Sequence, residues 1–217
     1  MQSGNTFTND YPELSELQYV QTNIDRDYAR SYLEKANYSA EIITAALTLM
    51  RVESSLINGV NNNYCGIQAD CGRWIGYNGW AKNGKFAGVV HKSEKTTGRL
   101  RWYLAFDSFE SCADFVLDRV KSRGVYFGGF AIPHALVWIN SIDSFATAYY
   151  KEWVEGSSKL QSAVQDYDNY NDLVSIYNQE YKYFSQSVQK KNQQFSDFVR
   201  TATDNTRYNV GFFLFGK

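Results

Sequence analysis

Residues 39–68 read SAEIITAALTLMRVESSLINGVNNNYCGIQ, and the organisation of the whole chain follows from this stretch. Ser39 is placed to cap a helix whose first turn holds Glu41, where a carboxylate complements the helix dipole. Ile42, Ile43, Ala46, Leu47, Leu49 and Met50 then recur at helical spacing. Glu53 lies three residues after Met50, four after Leu49 and seven after Ala46, so the period predicts its carboxylate on the buried apolar stripe. Desolvation there would raise a carboxyl pKa, which is what a general acid working near neutral pH requires. The alternative is a half-exposed helix-terminal glutamate that pairs with Arg51 or a nearby lysine. Gly59 and then Asn61, Asn62, Asn63, Tyr64, Cys65, Gly66, Ile67 and Gln68 follow as an amide-rich turn, suited to lining a cleft beside the acid.

Composition sets the bounds. With 217 residues, 44% of them hydrophobic, the chain is long enough to bury a core, and one domain with a smaller appendage is expected. Basic and acidic residues number 22 and 23, so no global charge favours nucleic acid or an anionic membrane surface. Locally, Arg73, Lys82, Lys85, Lys92, Lys95, Arg99 and Arg101 face a single acid, Glu94, within residues 72–101. A basic lobe of this kind suits an anionic polymer, and a solvated surface hairpin explains it equally well. No apolar run is long enough to span a membrane, and no secretory signal is visible at the start.

The only histidines are His91 and His134, without zinc-type cysteine spacing, so neither a metal nor another cofactor is expected. A serine hydrolase is excluded by the lack of a Gly-x-Ser-x-Gly turn, and a cysteine peptidase on Cys65 or Cys112 lacks any signature. Cys65 and Cys71 are near enough in sequence to bridge across the loop, which leaves Cys112 as a reduced, buried residue on a helix face.

Along the chain, residues 1–12 have loop composition. Leu14, Leu17, Val20, Ile24, Tyr28, Tyr32 and Leu33 predict one or two helices within residues 13–36. Residues 74–106 lose helical spacing and gain three turn signals, at Asn78 and Gly79, Asn83 and Gly84, and Thr97 and Gly98, which predict a small antiparallel lobe. Asp107 or Ser108 then caps a helix that buries Phe109, Cys112, Ala113, Val116 and Val120. Pro133 and the run from residue 141 through Phe145 and Trp153 open two more helices, and Gly156, Ser157 and Ser158 mark a boundary. Beyond it Tyr177, Tyr181, Phe184, Val188, Lys191, Phe195 and Phe198 follow the 4-3 alternation of a coiled-coil seam. A self-associating stalk and a long helix packed back on the domain both fit that pattern. The chain closes on an apolar cluster at residues 210–215, for which docking into a larger assembly and burial in its own core are the two explanations.

The helix ending in Glu53 and Ser54, the short glycine-containing loop and the Asn-Asn-Tyr-Cys-Gly-Ile-Gln turn together resemble the lysozyme-like superfamily of peptidoglycan-cleaving enzymes. The glucosaminidase group is the nearest, with its helix-Glu-Ser followed by Asn-Asn-aromatic-Gly-Ile-Lys. Cys65 is an insertion relative to that signature. Gln68 stands where the group has lysine and leans toward the Gly-Leu-Met-Gln turn of lytic transglycosylases. A second match, in the right order, is residues 106–115, FDSFESCADF, which resembles the group's Tyr-x-Ser-x-Glu-Ser-x-x-Asp-Tyr helix start and brings in Glu110 and Asp114.

The resemblance covers residues 37–156 and implies a mostly helical α+β fold of lysozyme type, with a catalytic helix facing a small antiparallel β-lobe. An N-terminal helical segment, residues 1–36, packs on it, and a C-terminal helical appendage, residues 157–217, follows. It implies Glu53 as the general acid on the β-1,4 bond between N-acetylglucosamine and N-acetylmuramic acid. Glu94 in the lobe is the preferred second carboxylate over Asp70. Ser54, Asn63, Tyr64 and Gln68 are expected to hydrogen-bond sugar substituents, although Ser54 also suits a helix cap. Gly66 admits the sugar close to the backbone, Trp74, Tyr77 and Trp80 are candidates for stacking on pyranose rings or for filling the lobe's small core, and Tyr149 or Tyr150 supplies a cleft tyrosine. The expected partners are peptidoglycan glycan strands and, through the C-terminal region, bacteriophage particle or tail proteins or a second copy of the chain. The expected location is a virion or the bacterial wall. A lytic transglycosylase and an inactive wall-binding protein of the same fold remain the alternatives.

Overall fold

A computed structural model describes residues 14–69, 86–93, 98, 100–123, 142, 145, 146, 149 and 167–214. These comprise strand β1 (Gln21–Thr22), helices α1 (Arg26–Lys35) and α2 (Ala40–Ser54), strands β2 (Gly59–Val60), β3 (Phe86–Ser93) and β4 (Leu100–Phe106), helix α3 (Phe109–Arg123) and a long helix α4 (Tyr167–Leu214). The chain is therefore a mixed fold, dominated by helices around small antiparallel sheets.

Helix α2 is the axis. Ser39 caps it by accepting from the Ile42 N–H at 3.5 Å, and Glu41 occupies its first turn. Every residue from 43 to 50 is buried, more than one face of an amphipathic helix would allow, because other helices cover it on several sides. Helix α3 is capped by Ser108, whose Oγ accepts from the Ser111 N–H at 3.2 Å. It buries Phe109, Cys112, Ala113, Val116 and Val120, the residues its period selects.

Helices α1 and α3 are joined by a ladder of paired side chains. The Tyr28 hydroxyl donates to Glu110, and the Tyr32 hydroxyl donates to Asp114 at 2.8 Å. Both pairs are spaced i, i+4 on their helices, so one face meets the other in register. The two acids of the second sequence match thus bind α1. Donation from Tyr28 holds the Glu110 carboxyl below its usual range.

Strands β3 and β4 run antiparallel from Phe86 opposite Phe106 to Ser93 opposite Leu100. The Thr97 and Gly98 turn signal falls between them, and Gly98 takes φ 67°. A single extended stretch lies along each outer edge. On one side the Leu17 N–H donates to the Val89 carbonyl at 2.8 Å and the Val89 N–H to the Ser15 carbonyl at 3.0 Å. On the other the Leu104 N–H donates to the Ile67 carbonyl at 3.0 Å and the Ala69 N–H to the Trp102 carbonyl at 2.8 Å. Gly88 makes the first edge possible, since a Cβ there would lie 2.5 Å from the Ser15 carbonyl oxygen.

Of the one or two helices expected within residues 13–36 one forms, and the reach of the helical reading needs correcting. Residues 14–24 are extended rather than helical, and only α1 forms, from the Asp25 cap. Leu14, Leu17, Val20 and Ile24 mimic a helical period, but Ser15 and Leu17 satisfy their backbone on β3, and Gln21 and Thr22 pair with Val60 and Gly59. Tertiary hydrogen bonds outweigh a weak local pattern.

The C-terminal region is also more integral than an appendage. Leu173, Tyr177 and Phe184 of α4 belong to the same buried core as α2 and α3. Between them Glu180 is fully buried, bound by Arg30 through Nε at 2.8 Å and Nη2 at 3.2 Å, and by Arg51 through Nη1. Tyr181 donates to Glu41 at 3.2 Å, and Lys191 reaches the Glu34 carbonyl at 3.0 Å. Farther along, Phe195 and Phe198 are each 69% exposed, so the proximal half of the seam packs on the domain and the distal half leaves it. No described helix is long and apolar enough to cross a membrane.

Two buried hydroxyls on α2, Thr44 and Thr48, have no hydrogen-bond partner among the described residues. Burying a hydroxyl unpaired costs about 1–3 kcal/mol. Thr48→Val, which keeps the β-branched shape, is expected to raise stability by about 1 kcal/mol, read as a higher urea midpoint with unchanged m-value. A lower midpoint would mean that the hydroxyl is satisfied.

Candidate functional site

Helix α2 emerges from the core at its last turn, and that turn carries Glu53. The side chain is exposed rather than buried, although Leu49 and Met50 before it and Ser54 and Leu56 after it are enclosed. Burial on the apolar stripe is therefore not what the fold provides here. Two neighbours among the described residues border it. The Tyr149 hydroxyl donates to Oε1 at 3.0 Å, and a Cβ built on Gly66 would lie 3.8 Å from Oε2. One carboxylate oxygen is oriented by a hydroxyl, and the other faces a stretch of backbone without a side chain.

The connection from Glu53 to Gly66 is tightly specified. Ser55, Leu56, Asn61 and Asn62 have φ of 52°, 64°, 47° and 61°, and they are the only described non-glycine residues with positive φ. Such residues cost of order 1 kcal/mol or more each and cluster where surrounding contacts over-determine the backbone. Here those contacts are three consecutive asparagines. Asn61 accepts from the Val20 N–H at 2.8 Å and donates to the Gln18 carbonyl at 3.0 Å, and Asn62 donates to the Phe106 carbonyl at 3.1 Å. Asn63 donates to the Ile67 and Leu104 carbonyls at 2.9 and 2.8 Å and accepts from the Cys65 and Ile67 N–H groups at 3.3 and 3.0 Å.

Asn63 thus has all four of its hydrogen-bonding positions filled within the protein and is buried. It is corrected from a sugar-binding group to the hub that shapes the loop. Tyr64 is corrected likewise. It is 1% exposed with its ring edge-on to Phe109 at 5.7 Å, because an aromatic at this point completes the core under the loop. Ser54 takes the capping alternative, its Oγ donating to the Met50 carbonyl at 2.8 Å and accepting from the Leu56 N–H at 3.2 Å. Gly66 is exposed beside the acid in the left-handed region, where glycine costs least. Gln68 is half-buried and its backbone bridges to Tyr103. Glu94, Asp70, Trp74, Tyr77, Trp80 and Tyr150 lie outside the described residues.

Tyr149, distant in sequence from Glu53, is brought to it, and helix α4 is what holds it there. Tyr149 packs on Phe145 at 6.2 Å, and Phe145 stacks on Tyr177 of α4 at 5.4 Å. Helical spacing pointed to a long helix that could pack back on the domain, but not to the Phe145–Tyr177 stack, and for Glu180 the one signal was an acid on an apolar seam. Arg51, a sequence-level partner for Glu53, turns to Glu180 and to Gln179 at 2.7 Å.

Cys65 is buried beside this site, in the same core as Cys112, and both are free thiols. Desolvation first, then Cys112 and the charge of Glu53, push the Cys65 thiol well above its ordinary range. A thiol held protonated is a poor nucleophile, which argues against cysteine peptidase chemistry. Among the described residues no group of three His, Cys, Asp or Glu side chains is arranged to hold a metal ion. No protein-family model, curated protein or solved structure matches the chain.

Proposed function

We propose that the chain is a peptidoglycan hydrolase of lysozyme-like fold that cleaves the β-1,4-linked glycan strand with Glu53 as general acid. The observation that carries this reading is the carboxylate at the end of α2, oriented by the Tyr149 hydroxyl and bordered by the side-chain-free backbone at Gly66. An exposed acid beside an open, rigid loop suits a polymer laid across it. The bound strand would itself exclude water from Glu53 and supply the desolvation that the free protein lacks.

In the reaction the protonated Glu53 donates to the glycosidic oxygen as the bond to the anomeric carbon breaks, through an oxocarbenium-like transition state. Tyr149 fixes the carboxyl's direction and Gly66 lets the sugar approach. Completion is by water activated on the opposite face, by the substrate's N-acetyl group, or by the muramic acid 6-hydroxyl, which gives an anhydro product. Glu94 is the lobe carboxylate proposed for the first route. The exposed Phe195 and Phe198 support a further role for distal α4 in association with a phage particle or a second copy of the chain.

Mass spectrometry of fragments released from purified peptidoglycan tests the reading. Reducing N-acetylglucosamine ends identify a glucosaminidase, reducing muramic acid ends a muramidase, and anhydromuramic ends a transglycosylase. Tyr149→Phe removes one hydrogen bond to a charged group, worth roughly 1.5–3 kcal/mol, and should slow release about 10- to 100-fold with little change in substrate binding. An unaltered rate would remove Tyr149 from the site.

A further inference from the structure

We propose that the cleft between the start of α1 and the end of α2 is a binding site for the terminal carboxylate of a peptide, with Arg51 as its receptor. The cleft has a volume of about 470 Å³, and its lining includes Asn23, Asp25, Arg26, Arg51, Ser55 and Ile57. Arg51 also belongs to the buried cluster on Glu180. In that cluster Arg30 spends its Nε and Nη2 edge on the Glu180 carboxylate, at 2.8 and 3.2 Å, and its Nη1 on Asp27 at 3.3 Å. Arg51 spends only Nη1, on Glu180 and on Gln179 at 2.7 Å. No described residue takes its Nε or Nη2 groups. Those N–H groups form the side-on fork that holds a carboxylate through two parallel hydrogen bonds. The Arg51 side chain is 18% exposed and pinned to α4, so the fork is oriented before a ligand arrives.

Charge sets the class of ligand. Arg30 and Arg51 share a single buried anion, and Asp27, the other carboxylate on the cluster, is 83% exposed and screened by solvent. One positive charge is left without a buried counterpart, which suits a monoanion. Asp25 accepts from the Asp27 and Tyr28 N–H groups at 2.9 Å each, and its charge in the cleft opposes a dianion such as phosphate. Ile57, an exposed apolar residue, offers a surface for an alkyl group in the same cleft. Asn23 and Ser55, both exposed, carry donors and acceptors for an amide. A carboxylate flanked by a small alkyl group and an amide, which is the end of a peptide, matches all of these features. Arg51 and Glu53 are two residues apart on α2 and project to opposite sides of it, so the site is independent of the glycan-cleaving reading.

The test titrates the isotopically labelled full-length protein with N-acetyl-alanyl-alanine, with the same dipeptide blocked as its C-terminal amide, and with inorganic phosphate. The Arg51 Nε–H resonance, assigned through its own side chain, reports on the fork. The acid is expected to shift this resonance to saturation, while the amide and phosphate bind at least about tenfold more weakly, the usual worth of a hydrogen bond to a charged group. Arg51→Lys keeps a charge for Glu180 but lacks the fork, and should weaken the acid about tenfold or more. Ile57→Glu changes an exposed position instead, so it spares the buried cluster. Its carboxylate should weaken the acid several-fold without moving the melting temperature, which keeps the test decisive if Arg51→Lys fails to fold. Binding of the amide or of phosphate as tight as that of the acid, or an Arg51 resonance unmoved by about 10 mM acid, would overturn the proposal.

Discussion

Glu53→Gln is expected to reduce release of glycan fragments from peptidoglycan by about 100- to 10,000-fold, the usual range for losing a general acid. The amide keeps the shape of the carboxyl, and its oxygen still accepts from the Tyr149 hydroxyl, so the arrangement around Gly66 survives. Because Glu53 is exposed and outside the core, the variant should melt within a degree or two of wild type. Binding to insoluble peptidoglycan should persist, since what is lost is a proton needed only in the transition state. The comparison separates two outcomes. A wild type that releases fragments while the variant does not places the chemistry on Glu53. If wild type binds the wall but releases nothing from mildly acidic to neutral pH, the enzyme reading fails and a wall-binding protein remains.

Glu180→Ala is expected to destabilise the fold by about 3–5 kcal/mol, a shift of roughly 10 °C in Tm. Two arginines, 10% and 18% exposed at their side chains, converge on this fully buried carboxylate, and removing it takes the shared buried anion from both, leaving Arg30 the exposed Asp27 and Arg51 the uncharged Gln179 amide. Uncompensated buried charge is what makes breaking such a cluster costly. Replacing Glu180, Arg30 and Arg51 together by apolar residues of similar size should therefore cost less than Glu180→Ala alone. A loss below 1 kcal/mol in urea unfolding would show that solvent reaches the arginines when the glutamate is removed. The same interface predicts that deleting residues 157–217 unfolds the chain rather than trimming an assembly module. That deletion would expose the core faces that Leu173, Tyr177 and Phe184 cover, and withdraw the ring on which Phe145, and through it Tyr149, rests.

Much of the architecture was legible from short-range signals. Ser39 and Ser108 announced α2 and α3, since a cap and the N–H it satisfies lie within three residues. The buried positions of α3 followed from a period of 3.6, and antiparallel pairing around Gly98 from a turn signal in a segment without helical spacing. The extended path of residues 14–24 was not legible, because its backbone partners, Val89 and Asn61, lie some 40 to 70 residues away.

At the site the division is the same. By itself the sequence determined that an acid ends an apolar helix and that an amide-rich turn with a glycine follows, because both are properties of adjacent residues. Only the tertiary structure decided what each side chain does. Asn63 and Tyr64 carry the polarity and shape of ligand-binding groups, yet Leu104 and Phe109 claim them for the scaffold. Glu180 carries the marks of a surface residue, yet Arg30 and Arg51 make its burial tolerable. Tyr149, 96 positions beyond Glu53, reaches it because α4 packs underneath. A polar side chain is free for a ligand only when no distant backbone or charge has already satisfied it, and such distant partners exist only once the chain has folded.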